Sequence, residues 1–154
     1  MFLSPGQLID AIRLTPLVSI DLIVRDPQGR VLAGLRSNRP AQNCWFVPGG
    51  RICKDERLAE AFQRITRAEL GAAEDISHAR FLGVYEHLYE DNFAAVPGLS
   101  THYVVLAYEL RLDSPLPELP EEQHEEFHWF TVDELLSAPD VHENTKAYFS
   151  QGRG

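Results

Sequence analysis

The segment that most constrains the fold of this chain is a long amphipathic helix predicted from Asp55 to Leu70. At about 100° per residue its apolar positions fall on one stripe, as a helix packed on a core requires. These positions are Leu58, Ala61, Phe62, Ile65 and Ala68. Glu69 lies on the same stripe, where its charge is costly unless a bound cation compensates it. The alternative is a frayed last turn that exposes Glu69, although Gly71 is well suited to end the helix cleanly.

The remaining hydrophobic pattern predicts strands interleaved with short helices. Strands are expected at residues 17–24, 30–35, 45–47, 81–89, 101–112 and 127–130. The first two form a hairpin through Asp26-Pro27-Gln28-Gly29, whereas Pro48-Gly49-Gly50 ends the third. Ser4-Pro5 begins a first helix, Thr131 to Glu134 has the spacing of a capping box, and a last helix covers 143–149. This order predicts an α/β fold, a mixed sheet covered on both faces by helices.

Length and charge limit the classes of function. The 154 residues, of which 44% are hydrophobic, predict a single domain over residues 1–154. Residues 17–24 are far shorter than the roughly 20 residues of a membrane span, and the N-terminus lacks an export signal, so a cytoplasmic protein without a membrane partner is expected. A net charge of -9 argues against a nucleic-acid partner. Cys44 and Cys53 are expected to be reduced thiols.

The predicted helix lies within a spaced set of glycines and charged residues. The pattern is Gly50-x5-Glu56-x7-Arg64, followed by Glu69-x-Gly71 and preceded by Trp45-x-x-Pro-Gly-Gly. It resembles the Nudix box, here at residues 50–72, and retains five of its seven fixed positions. The resemblance implies a Nudix fold. The two departures are Ile65 and Ala68, which replace glutamates that supply metal ligands in ordinary Nudix pyrophosphatases.

Further segments are similar to the GDP-mannose mannosyl hydrolase family within the Nudix group. They are residues 17–21, 38–42, 45–51 and 101–106. That family hydrolyses GDP-mannose to GDP and free sugar by water attack at the anomeric carbon. The resemblance implies the same reaction with GDP-glucose. Direct displacement at carbon implies inversion. With two box glutamates missing, one Mg²⁺ per active site is expected, with Mn²⁺ as an alternative ion.

The resemblance also implies which residues hold the metal and act as the base. The metal ligands would be Glu69 and the backbone carbonyls of Gly49 and Gln123, although Gln123 taken alone is an ordinary loop residue. His124, within the acidic run 121–126, would be the general base, whereas an isolated loop histidine is usually a surface residue.

A second group of residues would bind the diphosphate and the sugar. Arg36, Arg51 and Arg64 would neutralise the diphosphate, and they belong to a segment, Arg25 to Arg67, with nine Arg and Lys against four Asp and Glu. The alternative for Arg64 is a surface pair with Glu56. Tyr103 would donate to a phosphate oxygen, although a tyrosine in a strand is more often core.

Asp21 would accept hydrogen bonds from the sugar hydroxyls, aided by His87. Asp21 stands in the middle of an apolar strand, and the alternative for it is a buried salt bridge.

The N-terminal segment, residues 1–15, would contribute Phe2, Leu3 and Leu8 to nucleotide binding across a homodimer. Sequence alone assigns these three residues to helix packing.

Two rival functions remain open. One is a Nudix pyrophosphatase that attacks phosphorus, against which Ile65 and Ala68 argue. The other is a non-catalytic Nudix protein that only binds nucleotide sugars, against which the retained Glu69 and His124 argue.

Overall fold

The computed structural model describes residues 2–114 and 124–150. Within these ranges the helices are α1 (Pro5–Leu14), α2 (Leu58–Leu70), α3 (Val132–Ser137) and α4 (Glu143–Lys146), with 3₁₀ turns at Ile76–His78 and Ala147–Phe149. The strands are β1 (Leu17–Arg25), β2 (Val31–Arg36), β3 (Trp45–Phe46), β4 (Gly49–Arg51), β5 (Arg80–Tyr89), β6 (Thr101–Arg111) and β7 (His124–Phe130). None of the helices in the described ranges has both the length and the apolar character needed to cross a membrane.

Strand β1 is the centre of a mixed sheet, which has seven strands in the described residues. Along one edge β1 runs parallel to β6 over its whole length. Along the other edge its neighbour changes: Arg25 pairs with Val31 of β2, whereas residues 19–21 pair with β4. Strand β7 extends the sheet beyond β2, and β5 extends it beyond β6. The predicted mixed sheet is confirmed, and β2 and β4 separate along one edge of β1.

Helices cover both faces of this sheet. Ile20 and Leu22 pack in one cluster with Phe62 of α2. Ile23 points to the opposite face, where it packs with residues of α3 and of the last 3₁₀ turn. Because side chains alternate along a strand, Asp21 lies on the same face as Ile23.

The predicted helix ends are confirmed at three places. Ser4 and Gln7 form a reciprocal capping box at the start of α1. Thr131 and Glu134 do the same for α3. Gly71 ends α2 with φ 85°, the left-handed conformation that glycine adopts at little cost.

The prediction for the start and the buried face of α2 was wrong in part. The helix begins at Leu58 because Asp55 has φ 67° and belongs to the preceding turn. Leu58 and Ala68 are exposed. Thr66 is buried in their place, and its hydroxyl donates to the Phe62 carbonyl, which satisfies it inside the helix.

Strand β4 is a second difference, because Pro48-Gly49-Gly50 was predicted only to end a strand. Gly49 pairs with Asp21, and a Cβ on Gly49 would contact the Asp21 Oδ1 atom and lie 2.6 Å from the Ile20 carbonyl oxygen. A Cβ on Gly50 would lie 3.0 Å from Ile65 Cγ1. The two glycines therefore let the β4 backbone lie very close to β1 on one side and to α2 on the other.

Gly49→Ala is expected to lower the free energy of unfolding by about 1–3 kcal/mol, because the added methyl overpacks against backbone that cannot yield. Urea denaturation monitored by tryptophan fluorescence measures this change. Gly6→Ala is the matched control, since a Cβ at Gly6 meets nothing within 4 Å and alanine favours a helix. Equal stability of Gly49→Ala and the parent protein would contradict the close approach of β4 to β1.

Candidate active site

A cavity of about 320 Å³ lies beside the N-terminal half of β1, where β4 is its neighbour. That volume falls in the range of small-molecule sites, roughly 300–1,000 Å³. Eight residues predicted for the site line it: Leu8, Asp21, Arg36, Gly49, Arg51, Glu69, His87 and Tyr103. They come from α1, α2 and five strands, so the fold brings together side chains that are far apart in the sequence.

Glu69 reaches the cavity from the last turn of α2. The side chain is buried, and its Oε1 accepts a hydrogen bond from the Gly49 amide at 3.2 Å. The last turn is not frayed, because Gly71 closes it. One turn earlier Ile65 packs under Gly50. In the described part of the chain, no three or more His, Cys, Asp or Glu side chains are grouped to hold a metal ion.

Asp21 borders the cavity from the middle of β1. Its Oδ2 accepts a hydrogen bond of 2.5 Å from the Tyr148 hydroxyl, so its partner is a neutral phenol where the sequence left open a salt bridge. Burial raises the pKa of Asp21 to about 7, and the Tyr148 hydrogen bond and the Arg36 charge oppose that rise. His87 is also buried, and burial lowers its pKa to about 4, which keeps the imidazole neutral at pH 7.

Two of the three predicted phosphate-binding arginines line the cavity. Arg36 ends β2, its Nε donates to the Pro40 carbonyl at 3.0 Å, and its guanidinium lies 5.7 Å from the Phe46 ring centre. Arg51 reaches the cavity from β4, opposite Ser19. Two guanidinium groups at one cavity favour an anionic ligand such as a diphosphate.

Arg64 lies elsewhere and does not line the cavity. Its Nε and Nη2 donate to the two carboxylate oxygens of Glu56 at 2.7 and 2.9 Å, and Nη2 also donates to the Arg51 carbonyl at 2.7 Å. The Arg64 hydrogen bonds hold the pKa of Glu56 down to about 2. The Glu56 and Arg64 pair thus fixes α2 against β4. These three hydrogen bonds involve protein oxygens, and the contact of Arg64 with the diphosphate stays a prediction.

The other predicted residues occupy different surroundings. Phe2 is exposed, and its ring lies 5.3 Å from the Arg64 guanidinium. Leu3 is half-buried outside the cavity lining. His124 is the first residue of β7, and its Cα pairs with that of Arg36, so its backbone begins next to a residue of the cavity. Gln123 lies outside the described residues.

Several residues of the site were missed from the sequence. Phe46 and Tyr89 line the cavity, and His142 stacks on Phe46 with ring centres 4.8 Å apart. Tyr148 binds Asp21 from the last 3₁₀ turn. These residues belong to separate segments and form no local motif. The one available signal was Asp21 itself, since a buried carboxylate requires a donor.

Two features together are those of a Nudix domain. One is the mixed sheet between helices, and the other is the hydrogen bond from the glycine pair of β4 to a buried glutamate of α2. A family model described as the NUDIX domain matches residues 15–151. The chain belongs to the Nudix family, a group of hydrolases that generally use divalent metal ions such as Mg²⁺ and bind nucleotide-type substrates.

Relatives and solved structures agree with this assignment. The low-salt glycan biosynthesis protein Agl8 of Haloferax volcanii is 41% identical over 116 residues, which is 75% of this chain and 70% of that protein. The MutT NUDIX hydrolase of Burkholderia pseudomallei has a TM-score of 0.68 and 29% identity, covering 89% of this chain and 98% of that one. The NUDIX domain of Shewanella oneidensis NrtR, solved with ADP ribose, has the same fold, with a TM-score of 0.65, 17% identity and 96% coverage of both chains.

His87→Gln is expected to weaken the acid dependence of stability. In the folded protein His87 has a pKa of about 4, whereas in the unfolded chain it titrates near its ordinary value of about 6.5. Between these values the unfolded chain binds more protons, so this group makes the folded state lose stability as the pH falls. Glutamine does not titrate, but its amide can still donate a hydrogen bond.

The free energy of unfolding, measured in urea at several pH values between 4 and 6.5, tests this expectation. His78→Gln is the matched control because the His78 side chain is largely exposed. A pH dependence of stability that is the same in His87→Gln and in the parent protein would contradict a neutral, buried His87.

Proposed function

We propose that this chain hydrolyses a nucleoside diphosphate sugar, GDP-mannose or GDP-glucose, to GDP and free sugar by water attack at the anomeric carbon. The observation that carries the proposal is that α2 brings one carboxylate, Glu69, to the cavity. Ile65 packs against Gly50, and Ala68 is exposed on the outer side of the helix. A site with few carboxylates is poorly equipped to activate water against phosphorus, whereas departure of GDP from carbon needs chiefly charge neutralisation.

The donor set fits a single hard cation. Glu69 would supply a carboxylate and Gly49, whose amide contacts Glu69, its main-chain carbonyl, and Mg²⁺ commonly combines one or two carboxylates with phosphate oxygens of the substrate. Gln123 is the third proposed ligand, through its carbonyl. When bound, the ion would offset the negative charge that develops on the leaving diphosphate.

The side chains at the cavity divide between the two halves of the substrate. Arg36 and Arg51 bind the diphosphate and neutralise part of its charge, and Tyr103 donates a hydrogen bond to a phosphate oxygen. Asp21 accepts hydrogen bonds from sugar hydroxyls and so orients the anomeric carbon for attack. Correct orientation of the reacting atoms supplies a large part of such a rate enhancement.

His124 is the proposed general base. It accepts a proton from water as the water oxygen bonds to the anomeric carbon, while the bond from that carbon to the β-phosphate oxygen breaks and GDP leaves. The backbone pairing of His124 with Arg36 supports a position near the diphosphate end of the cavity. A base of this kind contributes roughly 10²–10⁴-fold to the rate.

A relative supports a sugar-containing substrate, because Agl8 is named for glycan biosynthesis. The proposed assembly is a homodimer, in which Phe2 and Leu3 complete the nucleotide site together with Leu8. Of these three residues Leu8 lines the cavity of its own chain.

Hydrolysis of GDP-mannose with Mg²⁺ in ¹⁸O-labelled water tests the proposal through the masses of the products. Attack at carbon predicts that the label enters mannose and that GDP stays unlabelled. Label in a phosphate, with GMP and mannose 1-phosphate as products, would identify a pyrophosphatase instead. Binding of GDP-mannose without turnover would identify a non-catalytic binding protein.

A further inference from the structure

Tyr148 is the buried residue of the site to which sequence reasoning gave no role. It stands in the 3₁₀ turn Ala147–Phe149 that follows α4, and its side chain is 8% exposed. Its ring packs edge-on against Tyr85 with the ring centres 4.6 Å apart. The Tyr148 hydroxyl lies 2.5 Å from Asp21 Oδ2 and 3.2 Å from His87 Nε2.

The hydrogens of this group of three can be assigned from its geometry. When Asp21 is ionised, the one hydrogen of the phenol is used in the short contact with the carboxylate oxygen, so the Tyr148 oxygen accepts from His87. His87 then carries a hydrogen on Nε2, and its lowered pKa keeps the imidazole neutral at pH 7. Burial favours the neutral form of both groups, because it lowers the pKa of His87 to about 4 and raises the pKa of Tyr148 above its ordinary value.

The two carboxylate oxygens of Asp21 have different surroundings. Oδ2 accepts the Tyr148 hydrogen bond, whereas Oδ1 lies beside Gly49 of β4. Tyr148 on one side and the β4 backbone on the other restrict rotation of the carboxylate group. Asp21 lines the cavity, and Oδ1 is the oxygen that Tyr148 does not bind, so a ligand in the cavity is expected to meet Oδ1.

We propose that Tyr148 is a positioning residue, which holds the Asp21 carboxylate with Oδ1 directed to the hydroxyl groups of a bound sugar. His87 completes the arrangement by donating to the Tyr148 oxygen. The inference rests on the proposed function, since it assumes that Asp21 binds the sugar half of the substrate. It predicts that Tyr148 acts on the sugar only, through Asp21, and leaves recognition of the nucleotide unchanged.

A double-mutant cycle with Tyr148→Phe, Asp21→Asn and the double variant tests this coupling. Tyr148→Phe is expected to lower kcat/KM for GDP-mannose on the order of 10-fold, the loss typical of a hydrogen bond to a charged group. In the Asp21→Asn background the same change should have little further effect. Inhibition by GDP, which lacks the sugar, should be the same in Tyr148→Phe and in the parent protein. Equal losses from Tyr148→Phe in both backgrounds would overturn the proposal.

Tyr108→Phe is the matched control. Tyr108 is as buried as Tyr148 but packs on the opposite face of the sheet, against Phe62 of α2. The kcat/KM of Tyr108→Phe should equal that of the parent protein. A loss as large as that of Tyr148→Phe would mean that removing any buried tyrosine hydroxyl disturbs the fold.

Proton NMR of the ligand-free protein tests the hydrogen bond without turnover. A buried hydroxyl at 2.5 Å from a carboxylate oxygen should give a downfield, slowly exchanging resonance that is absent from Tyr148→Phe and shifted upfield in Asp21→Asn, whose amide oxygen is a weaker acceptor. If that resonance is found but the parent protein does not hydrolyse GDP-mannose, the proposed function fails while the Tyr148 and Asp21 contact stands. A missing resonance, or one whose chemical shift is unchanged in Asp21→Asn, would overturn the positioning role itself.

Discussion

The site depends on the close approach of two glycines to the strand and the helix on either side of them. Gly49 lies against Asp21 and the Ile20 carbonyl, and Gly50 lies against Ile65. No side chain fits at either position without displacing a neighbour. Because of this contact the Gly49 amide reaches Glu69, and one short strand fixes the carboxylate of α2 relative to the carboxylate of β1.

The rest of the site is arranged around that contact. The Glu56 and Arg64 pair ties α2 to the Arg51 carbonyl, so the strand carrying the glycines is held at both ends. The 3₁₀ turn Ala147–Phe149 then places the Tyr148 hydroxyl against the Asp21 carboxylate. Nucleotide-sugar chemistry needs a cationic region for the diphosphate and a hydrogen-bonding region for the sugar. Arg36 and Arg51 provide the first, and the buried group around Asp21 provides the second.

The architecture could be predicted from the sequence because it follows from local patterns, whereas most of the predicted cavity lining came from the family resemblance. The spacing from Gly50 to Gly71 indicated the family, and Glu69 of the box meets the preceding Gly49 at the cavity. Strand β4 was missed because Pro-Gly-Gly normally ends a strand, and only its pairing with β1 makes it one. The Glu56 and Arg64 pair is the alternative that the sequence offered for Arg64, whereas the contact of Tyr148 with Asp21 could not be predicted, since it depends on tertiary packing between segments far apart in the chain.

The central claim is that one carboxylate on α2 suits displacement at carbon rather than at phosphorus. Proton NMR of GDP-mannose hydrolysis, recorded before the released sugar mutarotates, tests it most directly. We expect β-mannose to appear first, because a single attack by water inverts the α-linked anomeric carbon. Accumulation of α-mannose 1-phosphate, or of α-mannose as the first free sugar, would contradict it.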